Sequence, residues 1–146
     1  MIDDVIFSPL SIIETKGGDV LHAMKVSDKG FNGFGEAYFS TIKKDSIKAW
    51  KRHRKMTLNL IVPIGGVRFV IYDDRISSTT KFEFKEIILS RNRNYGRLTI
   101  PPMLWVGFQG LSKKTSILLN VANIEHSSNE VDRKELNKIN FNWEKK

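Results

Sequence analysis

The sequence predicts an all-β fold, a sandwich or barrel of antiparallel strands with a short C-terminal helical turn. Two patterns carry that expectation. Short runs rich in β-branched and aromatic residues recur along the chain, separated by Gly-, Pro- or Asn-rich breaks. Helical periodicity, by contrast, is scarce.

In chain order, residues 57–62 (TLNLIV) form a compact apolar run. Residues 67–72 (VRFVIY) follow Gly65-Gly66 and stop at Asp73-Asp74. Residues 80–85 (TKFEFK) alternate charged and apolar, the period-two signature of a half-buried strand. Residues 115–121 (TSILLNV) make a further strand. Turns fall at residues 30–35, 90–96 and Pro101-Pro102. Only residues 129–139 suggest a helical turn or two, with Glu130, Asp132 and Glu135 early and Lys134 and Lys138 later. The charged end, Glu144-Lys145-Lys146, predicts fraying.

With 146 residues, 40% apolar and 27% charged, the chain suits one domain spanning residues 1–146. The balance excludes a disordered, collagenous or repeat protein. No run approaches the roughly 18–20 apolar residues of a membrane span, and the N-terminus has no charged-then-apolar leader. Cysteine is absent, which removes a disulfide framework and a thiol nucleophile together. A cytoplasmic location is the expectation. The formal net charge of +8 points to an anionic partner, either nucleic acid or a phosphate-bearing small molecule.

The charge is densest in residues 43–55, which hold seven Lys or Arg, one His and one Trp against a single acid. Extended geometry over residues 50–55 puts Lys51, His53 and Lys55 on one face and Trp50, Arg52 and Arg54 on the other. If the first face lines a barrel, three cationic or titratable groups converge on its interior.

Four ordered segments carry a resemblance: residues 35–40 (GEAYFS), 47–53 (IKAWKRH), 67–75 (VRFVIYDDR) and 100–108 (IPPMLWVGF). Together they resemble a branch of the cupins, the metal-free nucleotide-sugar epimerases typified by the dTDP-4-dehydrorhamnose 3,5-epimerase family. The resemblance spans roughly residues 17–133. It implies a homodimeric jelly-roll with its site inside the barrel. The implied substrate is a nucleoside diphosphate 4-keto-6-deoxyhexose, in O-antigen or deoxysugar biosynthesis.

No metal or other cofactor is expected. Where metal-binding cupins carry their first His, their carboxylate and their last His, this chain has Lys51, Thr57 or Leu58, and Val106. His53 alone does not make the three-ligand set of a catalytic zinc or iron site.

Epimerisation beside a ketone removes a proton and returns it to the opposite face, with the enolate oxygen held by a cation or donor. Of the three histidines, His53 is the expected base. Lys51 is the expected enolate or hydroxyl partner, with Lys48 as a second candidate. In the family a tyrosine after the last long strand acts as the opposite-face acid. That region here has no Tyr, and His126 falls near the expected place. The family's base-orienting carboxylate lies in a C-terminal extension with no evident counterpart, so Asp73, Asp74 or Asp132 stands in for it. Inversion at carbon 3 alone is therefore favoured over carbons 3 and 5.

For the nucleotide, Lys48, Arg52 and Arg75 are the candidate phosphate ligands, and Tyr38, Tyr72 or Trp105 the flat surfaces. His22 and Lys25 lie where the family reaches across the dimer to its partner's nucleotide. Trp105 and Phe108 fit core packing as well. Two alternatives remain: a 3,4-ketoisomerase on the same substrate class, and a non-catalytic module binding nucleic acid or an acidic glycan.

Overall fold

The computed structural model describes residues 1–144; Lys145 and Lys146, where fraying is expected, lie outside the described residues. The strands are β1 (Ile6–Pro9), β2 (Ile12–Ile13), β3 (Val20–Leu21), β4 (Glu36–Ile42), β5 (Ile47–His53) and β6 (Leu58–Ile64). They continue with β7 (Gly66–Tyr72), β8 (Phe84–Ser90), β9 (Gly96–Ile100), β10 (Trp105–Gly110), β11 (Ser116–Ala122) and β12 (Val131–Arg133). Two antiparallel sheets face each other, ordered β1-β9-β6-β11-β4 and β12-β5-β10-β7-β8, with β2 and β3 forming a separate ribbon. This is the all-β sandwich the sequence predicts.

Alternation builds the core between the sheets. From β6 come Leu58, Leu60 and Val62; from β7 come Val67, Phe69 and Ile71; β8 adds Ile87 and Leu89. The other face of β7 is covered too. Val70 joins Trp50, Trp105, Ile139 and Trp143 in a second cluster on the outside of the β5-β10-β7 sheet. Burial on both faces explains why residues 67–72 read as a nearly continuous apolar run. Arg68, the one charge in that run, is 3% exposed. Its guanidinium donates to the Trp143 carbonyl at 3.0 Å and to Glu86 Oε2 at 2.7 Å, and lies over the Phe141 ring. The segment 139–143 is thereby tied across the outer face.

Two expectations are corrected. Residues 80–83 are turn, and the strand begins only at Phe84. The cause is Asp73, which is fully buried and whose carboxylate accepts hydrogen bonds from Arg75, Ser78 and Thr80. Burial alone would raise that carboxyl, but these donors outweigh it and hold it well below the usual carboxylate range. Phe82, with φ at 70°, closes the loop by donating its N–H to the Asp73 carbonyl. The second correction concerns residues 129–139. They form β12 between two 3₁₀ turns, Ser128–Glu130 and Leu136–Lys138, in place of a continuous helical stretch.

Gly107 on β10 sits where the outer cluster presses closest. A Cβ there would lie 2.6 Å from the Ala49 Cβ and 2.9 Å from the Trp143 ring. Gly107→Ala is expected to cost about 1–3 kcal/mol by overpacking, seen as a lower urea midpoint at unchanged slope.

Candidate active site

A cavity of roughly 580 Å³ opens between the two sheets. β5 supplies Lys48, Lys51 and His53 to one wall, while β4 and β11 supply Tyr38, Ser40, Leu118 and Asn120 from the opposing sheet. Apolar side chains of Leu58, Leu60, Val106 and Phe108 complete the walls, and Arg133, Lys134 and Glu135 stand at its margin.

The presence of both Lys48 and Lys51 departs from simple alternation. Lys51 pairs with Val106 and Lys48 with Phe108, so Ala49 and Trp50 together oppose Gly107. This bulge shifts the phase of β5 by one residue. Lys48, Lys51 and His53 all reach the cavity, while Trp50 turns outward onto Trp143. Lys55 lies beyond the strand, exposed and outside the cavity lining, so the third cation is Lys48 instead.

His53 is oriented by a buried carboxylate. Its Nδ1 donates to Glu130 Oε1, and the two side chains are only 11% and 7% exposed. The second oxygen, Glu130 Oε2, accepts the backbone N–H groups of Lys55 and Met56 at 3.2 and 3.3 Å. Desolvation would raise the Glu130 carboxyl; the His53 contact and these two N–H donors lower it overall. A carboxylate on Nδ1 selects the tautomer whose Nε2 carries the lone pair. The ring lines the cavity, and this arrangement makes Nε2 its free basic atom.

Backbone pairing holds the pair in place. Val131 is opposite His53 and Asp132 opposite Arg52, and the Arg54 N–H donates to the Glu130 carbonyl at 2.8 Å. Asp132 clamps the same edge. One oxygen takes Arg52 Nε and Nη2 at 3.0 and 2.8 Å, the other Arg54 Nε and Nη2 at 3.0 and 2.6 Å.

Across the cavity, Tyr38 Oη accepts a hydrogen bond from Asn120 Nδ2 at 3.0 Å. Lys51 is partly sunk in the wall. Its burial, then the charges of Arg133 and Lys48, push its ammonium below the ordinary lysine value. Crowded cations of this kind are relieved by an anion between them.

The other sequence-based candidates lie elsewhere. His126 is on an exposed loop, its N–H donating to Glu36 Oε1, and is not part of the cavity lining. Arg52 faces outward, paired with Asp74 and Asp132 and stacked 4.7 Å over Trp105. Arg75 is consumed by Asp73, Asp4 and the Asp3 carbonyl. Tyr72 stacks on Phe84 at 4.6 Å in the outer cluster, and Trp105 donates its Nε1–H to Asp74. His22 and Lys25 follow the β3 ribbon, where the His22 carbonyl accepts the Tyr95 hydroxyl and the Lys25 N–H meets Asp28.

The carboxylate in contact with His53 is Glu130; Asp73, Asp74 and Asp132, expected there, each have their own arginine or tryptophan partners. Glu130 was hidden because its partner lies 77 positions away. The β-branched Val131 that follows it was the available hint that the segment pairs as a strand.

The donor set does not fit a cupin metal. Lys51, Thr57 or Leu58, and Val106 stand where the resemblance would put the ligands, and Glu130 is already engaged by His53 and two N–H groups. Among the described residues no group of three His, Asp or Glu is placed to hold a metal ion. No described helix is long and apolar enough to cross a membrane.

A β-sandwich whose interior holds a His–carboxylate pair, a facing tyrosine and several cations belongs to a class of barrels equipped for an anionic small molecule and for proton transfer. Comparison with known proteins sharpens this. A crystal structure of a dTDP sugar isomerase from Desulfovibrio desulfuricans superposes with TM-score 0.94 at 35% identity, covering 97% of this chain and 92% of that one. The chain belongs to this family of dTDP-sugar isomerases and epimerases. A dTDP-4-dehydrorhamnose 3,5-epimerase from Bacillus anthracis, crystallised with TDP and pyrophosphate, shares the fold at TM-score 0.82 and 18% identity, over 97% of this chain and 85% of that one. A probable low-salt glycan biosynthesis epimerase of Haloferax volcanii is 29% identical over 85 residues, 58% of this chain. The match spans 54% of that relative's length. No family model matches the chain.

The clamp makes an acid-side prediction. Hydrogen bonds from Arg54 and Arg52 hold Asp132 down at about 2, against an ordinary 3.8. A lowered folded-state value stabilises fully above 3.8, and the contribution disappears as pH falls through about 2. Asp132→Asn should therefore lower the melting temperature at neutral pH, and the gap to wild type should close as the pH falls through that window.

Proposed function

We propose that the protein is a metal-independent epimerase inverting carbon 3 of a nucleoside diphosphate 4-keto-6-deoxyhexose. The observation that carries the reading is the Glu130–His53 pair, which leaves Nε2 as the basic atom on a cavity wall beside Lys51. His53 Nε2 takes the proton from carbon 3, and the C–H electrons form the carbon 3–carbon 4 double bond. The ketone oxygen becomes an enolate, stabilised by the Lys51 ammonium. Tyr38, on the opposing sheet, returns a proton from its hydroxyl to the other face, and the ketone re-forms. The tyrosine takes the role expected of His126, which the cavity does not include.

Lys48 and Arg133, both bordering the cavity, supply the charge for the diphosphate. The +8 net charge and the TDP and pyrophosphate crystallised with the Bacillus anthracis epimerase support that assignment. The working unit is a homodimer in cytoplasmic deoxysugar synthesis. Ile13 and Val20 on the β2–β3 ribbon, 47% and 50% exposed, support a second copy packing there, with His22 and Lys25 nearby.

The reading is tested in heavy water with dTDP-linked 4-keto-6-deoxyhexoses. Deuterium should enter carbon 3 with inversion, followed by NMR. His53→Asn should reduce both by about 100- to 10,000-fold without lowering the melting temperature appreciably. Undiminished exchange in that variant would remove His53 as the base, and a carbonyl relocated to carbon 3 would identify a ketoisomerase. Tyr38→Phe should keep the exchange and lose the inversion.

A further inference from the structure

We infer that Asn120 is a positioning residue that sets the direction of the Tyr38 hydroxyl proton, holding it available to a substrate in the cavity. The inference rests on the proposed role of Tyr38 as the opposite-face acid.

The argument is one of hydrogen-bond polarity. The oxygen and nitrogen of an Asn amide are told apart by their partners, and one partner of Asn120, a backbone N–H, has only one possible role. Asn120 Oδ1 receives the backbone N–H of Asn59 at 3.0 Å, and an N–H can only donate. Asn120 Nδ2 is therefore the end that meets Tyr38 Oη, and it must donate to it. The Tyr38 oxygen accepts, so its own proton is directed elsewhere. Among the described residues no acceptor takes that proton. The hydroxyl is thus left with an unspent donor on the cavity wall.

Asn59 is pinned by the same logic. Its Nδ2 donates to the Gly30 carbonyl at 3.2 Å, a group that can only accept, and its Oδ1 takes the Thr99 hydroxyl at 2.6 Å. These bonds gather the Gly30 loop, Thr99 of β9, Asn59 of β6 and Asn120 of β11 into one cluster beside Tyr38 on β4. Asn59, Asn120 and Thr99 are 2%, 2% and 3% exposed, so water does not compete for the Asn59–Asn120 and Asn59–Thr99 bonds. A Cβ at Gly30 would fall 2.6 Å from Thr99 Oγ1, which shows how closely the loop closes over the cluster. A buried Asn whose amide makes two bonds of fixed sense, one of them to a cavity hydroxyl, does more than fill space.

The test exploits an isosteric reversal. Asn120→Asp keeps the acceptor for the Asn59 N–H but presents a second acceptor to Tyr38, whose hydroxyl then turns away from the cavity to donate to it. Asn120→Leu removes both polar ends without reversing anything. With a dTDP-linked 4-keto-6-deoxyhexose in heavy water, deuterium incorporation by His53 should stay near wild type in both variants. Inversion should fall by about tenfold or more in Asn120→Asp and by less in Asn120→Leu. A merely structural role predicts the opposite order, because leucine is the less conservative change and leaves the Asn59 N–H unpaired. Exchange and inversion falling together, or inversion in Asn120→Asp equal to wild type, overturns the inference. If Tyr38→Phe inverts normally, the reading of Tyr38 as acid fails instead, and the two failures are told apart by that variant.

Discussion

The site depends on the attachment of β12 to the free edge of β5. Without that short strand, β5 would end its sheet with a row of unpaired backbone groups, and His53 would have no carboxylate. Three residues of pairing are weak by themselves. They are reinforced by reciprocal Trp50–Lys134 backbone bonds at 3.1 Å and by the two arginines converging on Asp132. The same ladder that closes the sheet fixes the angle of the imidazole. Architecture and chemistry here share their hydrogen bonds.

The two faces of β5 divide the labour. Its inner face presents Lys48, Lys51 and His53 to the cavity, and its outer face anchors Trp50 among Phe141 and Trp143 and lays Arg52 over Trp105. A basic sequence run is thereby split into cations with partners and cations without. Arg52 and Arg54 are neutralised by Asp132, whereas Lys51 meets mainly other positive groups. Net charge alone does not distinguish the two sets; the pleat and the bulge at Gly107 do.

How much of this was legible in the sequence follows the range of the interactions. Strands such as β6, β7 and β11 could be read because their signal, inward alternation or double burial, is local. Lys51 and His53 could be placed on a common face for the same reason. Lys48 could not, since the bulge that turns it inward depends on a Gly in another strand. Glu130 and Asp132 resembled an acidic helix start, because acids followed by lysines satisfy helical charge rules. Tertiary pairing with β5 overrode that preference. Arg75 looked like a phosphate ligand only because the folding of Asp3, Asp4 and Asp73 around it is invisible in one dimension.

The strap of residues 128–143 reaches partners 74 to 86 positions earlier in the chain. Contacts of such long sequence separation close last, because their loop entropy is recovered only once the intervening strands are ordered. A chain in which the strands ahead of this strap have ordered first would present a sandwich with the imidazole unsupported. Competence for proton transfer would then arise in a single late step, when the strap seals the open margin.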